Sequence, residues 1–163
     1  MAYTRKFSET KIWIPHGEEG TRRTLLEMHR LAREATSLPS IQFLAQTLST
    51  PQGVENYIRQ NWRLVPDPPD AEYILAPELQ IELAIETGVF SGDCDDAATL
   101  AAAILAALNW PASIIAIRMP GASEFSHVFL RAYTDEGFVD IDPIVPYEHL
   151  PIRNHAQELV IHV

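Results

Sequence analysis

Disulfide bonds cannot shape this chain, because its 163 residues include a single cysteine, Cys94. A disulfide scaffold is excluded, and nothing argues for an oxidising compartment. Long apolar runs are scarce as well. The most apolar stretch, Ala97 to Ala107, is short and begins beside three aspartates, and the opening MAYTRKFSETKIWIPHG lacks the apolar centre of a secretion signal. No membrane span or membrane partner is expected, and the location expected is cytoplasmic. Positive charge is the third shortage. The formal net charge is -10, and no lysine or arginine falls between Arg63 and Arg118, an interval holding Asp67, Asp70, Glu72, Glu78, Glu82, Glu86, Asp93, Asp95 and Asp96. A surface that tracks phosphates needs the opposite pattern, so nucleic acid is not expected as a partner. The acidic tract serves solubility or attracts a basic substrate. One cysteine with scattered histidines gives no preformed zinc set, so neither a metal nor a cofactor is expected. Repeats and low-complexity segments are missing too, and the length suits one domain spanning 1–163.

What is present is organised around Ser91 to Trp110, SGDCDDAATLAAAILAALNW. Asp93 is a good N-cap, and Asp96 three places later completes a variant capping box, so a helix starts here with Cys94 at its first position. A thiol there feels the positive end of the helix, which favours thiolate. The neighbouring aspartates oppose ionisation, and the sequence does not say which influence wins. A small buried hydrophobe is the bland reading of the same cysteine.

Around this element, Lys11 to Ile14 reads as a short strand and Thr21 to Ala35 as a helix burying Leu25, Met28, Leu31, Ala32 and Ala35. His29 lies one position off that stripe and reads as a surface residue. Ile41 to Leu48 predicts a short helix with Phe43, Leu44 and Leu48 inward, and Pro51 to Trp62 a further one with Val54, Tyr57, Ile58 and Trp62 on one side. Residues 65–73, VPDPPDAEY, read as an ordered loop or strap. Pro77 to Glu86 is a helix ended by Gly88, and Val89 to Gly92 a turn. The period then changes to 2: strands run over Ala112 to Arg118, His127 to Tyr133 and Phe138 to Asp142, with Leu159 to Val163 as a candidate edge strand.

If Thr134 faces Gly137 across the hairpin, Arg131 lies opposite Asp140 and Phe129 opposite Asp142. His127 and Asp142 then become diagonal neighbours on one face, where the carboxylate can fix the imidazole tautomer. Asp140 is explained by Arg131, which favours Asp142 as the orienting acid. His16, His149, His155 and His162 are poorer partners for Cys94, since no ordered element visibly brings them to it. Cys, His and Asp in this order match a thiol nucleophile, its base and its orienter.

Gly92 to Ala112, Ser126-His-Val-Phe-Leu130 and Phe138-Val-Asp-Ile-Asp-Pro143 together resemble the core of the transglutaminase-like superfamily, over roughly residues 51–143. The GDCDD form is most similar to short bacterial and phage members. The resemblance implies an α+β, papain-like fold in which a cysteine-bearing helix packs on a small antiparallel sheet, with residues 1–50 as a helical extension. It implies Cys94 as nucleophile, His127 as general base and Asp142 as third member. It also implies an oxyanion donor from upstream of the cysteine, for which Trp62 and Asn61 are candidates beside the Cys94 backbone N–H. One departure is Val128, where a small residue often follows the histidine. The activity implied is acyl transfer on a protein or peptide substrate, as a cysteine protease or amidase if water is the acceptor and a crosslinking transferase if an amine is. The alternative is a catalytically idle domain of this kind serving as a binding or assembly module.

Overall fold

A computed structural model describes residues 14–68, 72–145 and 157–163. Residues 11–13 of the expected first strand lie outside these, as do His149 and His155. The chain runs through helix α1 (Glu18–Ala35), α2 (Pro39–Leu48), α3 (Pro51–Gln60), strand β1 (Trp62–Leu64), α4 (Pro77–Thr87), β2 (Phe90–Gly92), α5 (Cys94–Ala107), β3 (Ala112–Arg118), β4 (His127–Thr134), β5 (Gly137–Ile141) and β6 (Gln157–His162). This is the α+β arrangement expected, with the cysteine-bearing helix packed on an antiparallel sheet of order β5-β4-β3-β6.

Helix α1 starts three residues before Thr21, with Gly17 at the cap position and Glu18 and Glu19 in the first turn, where negative charge suits the helix end. Gly20 permits the early start, since a Cβ there would meet the Pro15 carbonyl oxygen at 1.7 Å. Its inner stripe is Thr24, Leu25, Met28, Ala32 and Ala35, with Leu31 half-buried. In α2 the buried residues are Ile41 and Ala45, whereas Phe43 is 68% exposed, contrary to the inward placement expected. Two residues from Ile41 is about 200° around the helix, so Phe43 must face away.

Helix α3 is capped by the Thr50 hydroxyl, which accepts from the Gly53 N–H at 3.1 Å. It ends at Gln60 rather than Trp62. Trp62 instead opens β1, paired in parallel with β2 through Trp62 and Phe90, Arg63 and Ser91, and Leu64 and Gly92. The expected turn over 89–92 is therefore largely strand. Three-residue strands are too short to write a period into a sequence.

The four-stranded sheet gives α5 its setting. The hairpin register is the one expected, with Thr134 against Gly137 and Arg131 against Asp140, and β6 pairs antiparallel to β3 at the edge. One sheet face presents Ile114, Ala116, Val128, Leu130, Ala132 and Ile141 to the main apolar cluster, which also contains Leu100, Ile104 and Leu105 of α5 and Leu25 and Met28 of α1. The opposite face carries a smaller cluster of Ile115, Ile117 and Phe129 with Val160. Because α5 is enclosed by sheet and helices, it is apolar nearly all round rather than striped.

Candidate active site

Building the site starts at the first turn of α5. Asp93 is the N-cap, its Oδ1 accepting from the Asp95 N–H at 3.1 Å. Asp96 returns the bond, its Oδ2 accepting from the Asp93 N–H at 3.3 Å, which completes the predicted capping box. Gly92 makes room for it. A Cβ at residue 92 would lie 2.2 Å from Asp96 Oδ2, and the backbone there has φ +155°. Asp96 Oδ1 accepts the Leu75 N–H at 2.7 Å, tying the residue 72–76 segment to the helix start. Burial, only partly offset by that N–H, pushes the Asp96 carboxyl up to about 7.

Cys94 sits at the first helical position, half-buried. The question left open by the sequence is answered against the thiolate. Burial first, then the Asp95 charge, push the Cys94 thiol well above the ordinary range, while the Val128 N–H that bonds the sulfur pulls the other way. The thiol donates to Asp95 Oδ1 at 3.5 Å. Asp95 is itself buried, and its carboxyl is raised, first by burial and then by the neighbouring Glu72 carboxyl. Asp93, Cys94 and Asp95 each offer a ligand atom within 4.8 Å of the others, and these are the described residues that could hold a cation. Consecutive residues at a helix start produce such a grouping without an ion, and burial raises the Asp93 carboxyl as well.

At the other side, His127 opens β4 and Asp142 follows the end of β5. The His127 Nε2 lies 2.6 Å from Asp142 Oδ2, and the imidazole lies beside the Phe129 ring with 6.4 Å between centroids and 20° between planes. Asp142 is 1% exposed. Its Oδ1 accepts the Ile144 and Val145 N–H groups, each at 3.2 Å. Asp140 is occupied as expected, gripped by Arg131 at 2.7 and 3.0 Å. The structure thus brings His127 and Asp142 together, and brings Cys94 to the backbone of Val128, the residue after His127.

The two side-chain oxyanion candidates each donate one hydrogen bond to a main-chain carbonyl. Asn61 Nδ2 donates to the Tyr57 carbonyl at 2.8 Å. Trp62 Nε1 donates to the Gly92 carbonyl at 3.3 Å, and its ring stacks on Phe90. His162 is also engaged, its Nδ1 2.8 Å from the Ser113 hydroxyl. Sequence reasoning overlooked Glu55 and Arg59 of α3, which contact the Asp142 backbone. Their signal was an acid and a base four residues apart on a helix, a pattern normally read as surface.

No protein-family model matches the chain, and no curated protein matches it. Among solved structures, the fold is similar to that of a candidate protease from Parabacteroides distasonis ATCC 8503, with a TM-score of 0.58 and 14% identity over 85% of this chain. The chain spans 32% of that protein's length. At such identity the likeness is one of fold. Among the described residues, no helix is long and apolar enough to cross a membrane.

Proposed function

We propose that this chain is a thiol-dependent acyl-transfer enzyme of the transglutaminase-like kind, acting on peptide or carboxamide bonds through Cys94, His127 and Asp142. One observation carries the reading: the short bond from His127 Nε2 to Asp142 Oδ2, at the start of the strand whose next N–H bonds the Cys94 sulfur. With Nε2–H donated to the carboxylate, Nδ1 keeps its lone pair and can accept a proton. Because the resting thiol is held protonated, that proton leaves as the sulfur attacks the carbonyl carbon, not before. The tetrahedral intermediate collapses when imidazolium returns the proton to the amine, the C–N bond breaks and a thioester remains. Water or an amine then adds to the thioester, His127 takes its proton, and the thiol is released. The Cys94 backbone N–H is an oxyanion donor in this reading, with Trp62 and Asn61 as the side-chain candidates. In this reading the catalytic core spans about residues 51–143, and the helices that precede residue 51 extend it within one domain.

The module reading draws on the same raised thiol, since burial with acidic neighbours is also how an inert cysteine is kept inert. An activated ester separates the two. With p-nitrophenyl acetate near pH 8, intact mass should show acetyl on Cys94 above the level of Cys94→Ala, and His127→Ala should slow it by about 100-fold. Added amine that speeds nitrophenol release would mark a transferase, and insensitivity to amine a hydrolase. Acetylation no faster than in Cys94→Ala, while the unfolded chain reacts, would favour the module.

A further inference from the structure

Asp142 stands one residue past the last pairing of the sheet, which joins Leu130 to Ile141. Its carboxylate meets His127 at hydrogen-bond length, and its main chain is held from α3. Glu55 and Arg59, four residues apart on one helix face, form an ion pair with Arg59 Nε 2.6 Å from Glu55 Oε1. Glu55 Oε2 accepts the Asp142 N–H at 3.1 Å. Arg59 Nη2 donates to the Asp142 carbonyl, and Nη1 donates to the Val145 carbonyl at 2.8 Å. Both main-chain polar groups of Asp142 are thus held by one side-chain pair, and the turn through residue 145 is tied to the same guanidinium.

Burial makes the arrangement telling. Glu55 is 1% exposed, and desolvation of a carboxylate is a large cost that an apolar pair of equal volume would avoid. Packing alone does not call for an ion pair at this place. What an apolar pair cannot do is hold an N–H and a C=O of the same residue at fixed positions, which a carboxylate beside a planar guanidinium does.

We propose that Glu55 and Arg59 are positioning residues that hold Asp142 against His127, so that α3 sets the geometry of the base on the far strand. This rests on the triad reading above, and it adds a requirement the triad alone does not make. The test reads the Nε2–H proton of His127 directly, as a low-field imidazole resonance in proton NMR, alongside the rate of Cys94 alkylation at pH 7 followed by intact mass. His127→Ala assigns the resonance. Glu55→Gln with Arg59→Met removes the carbonyl clamps without stranding a buried charge. It should abolish the low-field resonance and slow alkylation about tenfold, the scale at which outer supporting contacts act, with circular dichroism unchanged. Arg59→Lys, a milder change that keeps one donor, should retain a broadened resonance and lose about threefold in rate. If the double variant does not fold, the Arg59→Lys result decides. A resonance and a rate like wild type in either folded variant would overturn the positioning role while leaving the triad standing. A wild type without the resonance, whose alkylation ignores His127→Ala, would instead remove the triad and the inference with it.

Discussion

The two sides of the site are built on opposite electrostatic plans. At the start of α5, carboxyls crowd a half-buried thiol, and burial raises Asp93, Asp95, Asp96 and Cys94 together. At the ends of β4 and β5, the buried Asp142 side chain has a partner for each oxygen. The first region crowds acids together, whereas in the second a guanidinium answers the buried acid, Arg59 pulling Glu55 down against the burial that raises it. A thiol placed between them is not primed as a stored thiolate, and its helix-end position does not compensate for lost hydration and nearby acids. In the proposed reaction the negative charge on sulfur exists only while the proton is passing to His127.

The sharpest way to expose the contrast is pH. The Asp96 carboxyl, ordinarily near 3.8, rises to about 7 in the folded protein. An acid raised by folding contributes stability fully below its unfolded value and loses it as pH climbs through the folded one, so the loss falls between about pH 4 and 7 and amounts to at most ~4 kcal/mol. Asp93 and Asp95 shift in the same direction. Urea unfolding should therefore give a higher midpoint at pH 5 than at pH 8, and Asp96→Asn should flatten the difference. A midpoint that rises from pH 5 to 8 would mean that these carboxyls are charged in the native state.

In the second region, Arg59→Met alone strands Glu55 under α3 and should cost about 3 kcal/mol in urea unfolding at pH 7, because a buried carboxylate is left without its cation. The Glu55→Gln, Arg59→Met pair should recover part of that loss, since no charge remains to be buried.

Legibility from sequence followed the same division. The capping box, the helix start at Cys94 and the hairpin register all depend on neighbours in the chain, and each could be read from residue type and spacing. The bond between His127 and Asp142 followed from that register, because the strand period carries side-chain direction with it. Contacts that cross the fold were less accessible. Trp62 sat in a helical pattern although β1 takes it, Phe43 was read as inward although Ile41 and Ala45 claim the buried face, and the hold of α3 on Asp142 links residues 87 apart. The electrostatic outcome at Cys94 was also unreadable, since desolvation is its largest cause and burial is not written in a local pattern.

Smaller effects sharpen the comparison at single side chains. Asp95→Asn removes the acid that raises Cys94 and should speed its alkylation at pH 9 by roughly threefold to tenfold. A slower rate would mean that the Asp95 bond holds the thiol accessible. At the low end, Ile85 is 78% exposed on α4, away from both regions. Ile85→Ser should shift the unfolding free energy by no more than about 0.5 kcal/mol and leave alkylation unchanged.

The central claim is that His127, fixed by Asp142, takes the Cys94 proton, and the pH profile of Cys94 alkylation by iodoacetamide tests it most directly because the chain has one cysteine. In the folded protein wild type should react about tenfold faster than His127→Ala near pH 7 to 8, with Asp142→Asn between them, and the three profiles should coincide once the chain is unfolded in urea. Superimposed profiles for wild type and His127→Ala over the whole range would contradict the account and leave Cys94 a structural thiol.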